Sequence, residues 1–94
     1  MRLIKFEDLE FKPHKYIDNA VCCYIRFTDK EYISIIGGDG KSGLHGDGTT
    51  SFEIMSSLTE KTKLGILCYQ NKKEVNKHLK QVQLSTLMKL TYKN

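Results

Sequence analysis

Residues 21–36 constrain this chain more than any other stretch. Val21, Cys23, Ile25 and Phe27 fall on one face of an extended chain, and Ile33 and Ile35 continue the pattern after a short polar turn. Two strands with one apolar face each need a cover, and 94 residues are enough for one domain with one modest core. A two-residue loop at Asp29-Lys30 pairs Phe27 with Tyr32 and Ile25 with Ser34, which puts a serine among core residues. A loop one residue longer, over residues 29–31, pairs Phe27 with Ile33 and Ile25 with Ile35, and this is the expected register. The reverse face then carries Cys22, Tyr24, Arg26, Tyr32, Ser34 and Ile36.

The remaining elements follow from local chemistry. Residues 1–19 read as an irregular lead-in: Pro13 disfavours helix at Lys12, and Asp18-Asn19 is turn chemistry before the first strand. Residues 51–56 and 63–69 read as two further strands. Phe52 and Ile54 share a side in the first of them, and Leu64, Ile66 and Cys68 share one in the second. Asn71 caps a helix, with Glu74 at the capping-box spacing. Val75, Leu79 and Val82 form one apolar stripe of that helix and should lie on the sheet. Beyond Val82 the phase slips, so residues 84–94 are open to three readings: a second helical piece, a partner-contacting extension or a frayed end. The expected fold is α+β: a small antiparallel meander of about four strands with a C-terminal helix packed on one face, residues 1–94 forming a single domain.

Residues 37–50 hold six of the seven glycines. Gly40-Lys41-Ser42 lacks the leading glycine of a phosphate loop, Ile35 standing in its place, and strand rather than helix follows. GGDGKS lacks the aspartate of the calcium repeat, and Lys41 and Gly43 occupy ligand positions of an EF-hand. Two readings remain for the stretch. One is an unstructured connection; the other is an anion-binding loop using the backbone of Gly38 and Gly40 with Lys41 and His45.

No spacing brings a nucleophile to a base, and a paired-carboxylate site from Asp39 and Asp47 would sit on the least rigid part of the chain. The chain is therefore read as non-catalytic. Histidines at 14, 45 and 78, with no CxxC, give no metal-ligand spacing, and no cofactor is implied. The odd number of cysteines, with Cys22 beside Cys23 on opposite strand faces, fits reduced thiols. No apolar run reaches the roughly 20 residues of a membrane span, so a cytoplasmic location and no membrane partner are expected.

Charge is uneven. Residues 1–47 carry seven Lys/Arg and eight Asp/Glu, and residues 48–94 carry eight and three. Lys73, Lys77 and Lys80 fall opposite the apolar stripe of the helix, where they make a solvated face or a contact for an anionic partner. Tyr24 and Tyr32, on the outward sheet face, are placed to stack on bases or to line an interface. Because Cys22, Tyr24, Tyr32 and Ile36 leave that face partly apolar, homodimerisation is expected there.

Four segments carry a resemblance: Phe6-Glu7-Asp8-Leu9-Glu10-Phe11-Lys12-Pro13-His14; Tyr32-Ile33-Ser34-Ile35-Ile36 running into the glycine stretch; Leu67-Cys68-Tyr69; and Val75, Leu79 and Val82-Gln83. In that order the chain resembles short phage and prophage proteins of Firmicutes-type bacteria. It departs from them at the turn Asp29-Lys30-Glu31 and at Gln70-Asn71-Lys72-Lys73, where basic character replaces acidic. The resemblance implies phage accessory biology, including inhibition of host defence. The expected function is thus binding of a host protein or a small anionic ligand in the host cytoplasm. The alternative is a nucleic-acid-binding module that uses the basic helix.

Overall fold

The computed structural model of the chain describes residues 2–38 and 44–92, with side chains as far as Leu90. Strands β1 (Lys12–Pro13), β2 (Ala20–Arg26), β3 (Tyr32–Gly38), β4 (Phe52–Ser56) and β5 (Leu67–Gln70) form one antiparallel sheet in chain order. Helix α1 (Lys72–Tyr92) packs on one face. Short 3-10 turns lie at Phe6–Asp8 and Thr59–Lys61. The fold is α+β as expected, with five strands in place of four. The added strand, β1, lies in the lead-in, where Pro13 faces Val21 on the sheet edge and its missing N–H breaks no interior ladder.

The alternation holds and the hairpin register does not. Ile25 faces Ile33 and Cys23 faces Ile35, so Phe27 and Ile33 are not partners. The connection is five residues long, 27–31. Thr28 organises it, its hydroxyl accepting the N–H groups of Lys30 at 3.2 Å and Glu31 at 3.1 Å, while Phe27 N–H donates to Glu31 O at 2.8 Å. The shift is two residues, which leaves every side chain on its expected face.

The second correction concerns residues 63–69. Thr62 Oγ1 accepts the N–H of Gly65, which sits at φ +75°, and this bend ends the extended run before Leu67. Leu64 is consequently 78% exposed, and Leu67 packs against the core instead.

Ile33, Ile35, Ile54, Phe52, Val75 and Leu79 make the central cluster, and Val82 is buried alongside. Each side chain of this kind stabilises by about 1.5–3 kcal/mol on full burial. Phe6 and Phe11 extend the cluster over Phe52, with ring centroids 5.5 and 5.1 Å from it. The capping box forms as read: Glu74 N–H donates to Asn71 Oδ1 at 2.8 Å and Asn71 N–H to Glu74 Oε1 at 3.0 Å.

From that cap α1 runs unbroken to Tyr92, so residues 84–92 belong to the same helix. The apparent slip of phase arises because its buried face goes on through polar side chains, Gln83 and Thr86. Thr86 Oγ1 returns a hydrogen bond to Val82 O, and Gln83 holds the lead-in. Its carboxamide accepts Ile4 N–H at 2.7 Å and donates to Ile4 O at 2.8 Å. Asn76 Oδ1 likewise accepts Phe6 N–H at 2.6 Å.

Leu79→Ala should lower unfolding free energy by about 2–5 kcal/mol in urea titrations, whereas Leu64→Ser should change it by no more than about 0.5 kcal/mol.

Candidate functional site

The glycine stretch is where the structure most revises the sequence reading. Gly40 and Lys41 lie outside the described residues. Gly38 does not face solvent as an anion donor: it is buried at the end of β3, and its N–H donates to Gly46 O at 3.0 Å. His45 and Gly46 cross the start of β4 as a strap, His45 O accepting Tyr69 N–H from β5 at 2.7 Å. The glycines here serve close approach. A Cβ on Gly46 would stand 2.6 Å from Phe52 Cα, and one on Gly37 would stand 2.3 Å from Gly48 Cα.

The loop does gather backbone donors around an anion, and that anion is its own. Thr49, Thr50 and Ser51 N–H all donate to Asp47 Oδ1, at 2.8, 2.7 and 3.0 Å. The Thr50 hydroxyl and these N–H groups hold the Asp47 carboxyl well below the usual carboxylate range. An external phosphate would have to displace it.

His45 is exposed, its N–H donating to Glu53 Oε2 at 3.2 Å and its ring edge-on to Tyr69 at 5.8 Å. Tyr69 itself sits at φ +55° in a bulge of β5 against β4. These contacts belong to the strap.

On the sheet face away from α1, Tyr24 and Tyr32 stack with centroids 5.9 Å apart, and the Arg26 guanidinium lies 5.8 Å from the Tyr24 ring. Tyr32 is fixed further by donating to Glu60 Oε1 at 2.7 Å, a bond that pushes its ionisation up to about 12. Tyr24 is 53% exposed, and Met55, which sequence reasoning missed, is 44% exposed on the same face opposite Ser34. Only its place on a strand with one buried face signalled it. Cys22 and Ile36 are half-buried beside them.

Lys73, Lys77 and Lys80 are exposed on the side of α1 turned from the sheet. Among the described residues no carboxylate lies within ion-pair distance of them. The lysine row and the tyrosine pair stand on opposite sides of the molecule.

Sequence spacing also missed Ser56 and His78, 22 residues apart, whose Oγ and Nε2 lie 2.8 Å apart. This resembles a nucleophile and its base, but Ser56 is fully buried and its Oγ accepts the N–H groups of Leu58 and Thr59. The pair ties α1 to the end of β4. Burial holds the His78 ring below its ordinary value and raises the Cys23 thiol, the reverse of what a reactive thiol needs. Among the described residues, no group of three or more His, Cys, Asp or Glu is placed to hold a metal, and no helix is long and apolar enough to cross a membrane.

Comparison of the chain with protein-family models, with curated proteins and with solved structures finds no match.

Gly46→Ala should destabilise the fold by at least about 1–3 kcal/mol, since backbone rather than a pliant side chain meets the new Cβ; thermal melts check it. A second expectation concerns acid. The unfolded chain protonates at the ordinary histidine value of 6.5 and the folded His78 only lower, so stability is full above that pH and declines as pH falls through the interval. Melts of wild type and His78→Gln between about pH 7 and 5 should differ in slope, the variant losing the histidine component.

Proposed function

We propose that the chain is a phage-encoded accessory protein that acts by binding a host protein, with no catalytic step, through the outward face of α1. One observation supports this above the rest: Lys73, Lys77 and Lys80 stand in a single exposed row with no ion pair among the described residues. A row of uncompensated lysines favours an acidic partner surface. The small anionic ligand is the weaker form of the proposal, because the N–H groups of His45, Asp47, Gly48, Thr49, Thr50 and Ser51 are already taken by Glu53, Ser51 and Asp47.

Nucleic acid is the alternative in the same charge class, and salt separates the two. Phosphate binding falls steeply with ionic strength, while a protein contact with an apolar anchor falls far less. The outer sheet face, with Tyr24, Met55, Ile36 and Cys22, is assigned in this reading to a second copy of the chain.

Lys73→Glu/Lys77→Glu should leave the melting temperature unchanged and abolish recovery of the partner from infected cells, read by quantitative mass spectrometry of tagged protein. Undiminished recovery of the same partner by the variant would remove the lysine row from the interface. Sedimentation of Tyr24→Glu/Met55→Glu beside wild type checks the sheet face, a dimer in wild type and a monomer in the variant being the expected outcome.

A further inference from the structure

The lysine row does not end at Lys80. Continuing in helical steps of three and four residues, the same side of α1 reaches Leu84 and then Met88, 41% and 57% exposed, with Leu90 at 50% nearby. From Lys73 to Met88 the row runs about 22 Å. Its apolar end borders a groove of about 920 Å³ between α1 and the β2–β3 connection, with Thr28, Lys30, Leu84, Ser85, Met88 and Leu90 in its walls. The walls are pinned together. Lys89 Nζ lies 3.1 Å from Glu31 Oε1, and the Thr28 hydroxyl donates to the other Glu31 oxygen. Glu31 is buried and Lys89 exposed, so this pair joins the two walls at the edge of the groove.

Building on the lysine-face reading above, we infer that the row and its groove seat an amphipathic helix of a different protein, acidic over the half that meets Lys73–Lys80 and apolar over the half that meets Leu84, Met88 and Leu90. The step pattern along α1 is a ridge of the kind that packs into the groove of a second helix. Charge excludes a second copy of this chain along the full row. A parallel copy sets lysine against lysine, and an antiparallel copy sets the lysines of each against the leucine and methionine of the other. A lipid surface fits less well, because lysines and apolar side chains follow one another along the axis instead of flanking one apolar face.

The test uses the full chain and a displayed library of helix-forming peptides of about 18 residues, long enough for the row. Selection should enrich peptides with Glu and Asp in one half and Leu, Ile or Met in the other. Fluorescence anisotropy with the best peptide should show at least about tenfold weaker binding to Lys77→Glu/Lys80→Glu and to Leu84→Ser/Met88→Ser. All four positions are exposed, so both variants should melt with wild type. Amide shifts on peptide addition should map to Lys30, Leu84 and Met88.

Enrichment of basic peptides, or none, overturns the inference. So does sedimentation showing a dimer that Leu84→Ser dissolves, or tighter binding to anionic vesicles than to any peptide. If only the lysine variant loses binding, this inference falls and the basic-face reading stands. If neither variant loses binding, both fall.

Discussion

A single helix covering a single sheet face is the constraint on which the rest depends. Val75, Leu79 and Val82 supply one side of the core and Ile33, Ile35, Ile54 and Phe52 the other, all essentially inaccessible to water. A two-layer domain of this size has no third layer to hide anything more. The far side of the sheet and the far side of the helix are therefore both surface, whatever residues occupy them. Aromatic and basic side chains at those places are what give the molecule two faces of contrasting chemistry.

Polar groups inside that sandwich do a different job from the apolar ones. Ser56 connects His78 to the turn after β4, with Thr59 Oγ1 accepting Ser56 N–H at 2.8 Å, and Gln83 supplies the lead-in with both halves of a missing ladder step. Such bonds add little net stability when made and cost about 1–3 kcal/mol when left half made. They fix where the helix sits along the sheet, which packing of similar branched side chains leaves loosely defined.

Much of this was legible from residue order. Period-two alternation assigned the side chains of β2 and β3 to their correct faces, and the 75/79/82 stripe identified the cover. The hairpin register was not legible, since the loop length depends on a threonine hydroxyl bonding to backbone and carboxylate in three dimensions. Nor was the glycine stretch: only folded proximity shows that Gly37 and Gly48 touch, or that Asp47 fills the nest its neighbours make. Leu64 and Ile66 mimicked a strand because apolar alternation says nothing about the left-handed turn at Gly65. The length of α1 was obscured by reading only apolar residues as buried, when Gln83 and Thr86 carry the face onward.

The hydrogen bonds between Ile4 and Gln83 join positions 79 apart in sequence. During synthesis the chain leaves the ribosome in order, at about 5–20 residues per second. The lead-in must then wait some seconds, with Phe6 and Phe11 unsheltered, until the helix that receives it has emerged. For that interval the nascent protein displays an aromatic segment that the finished one packs against Phe52.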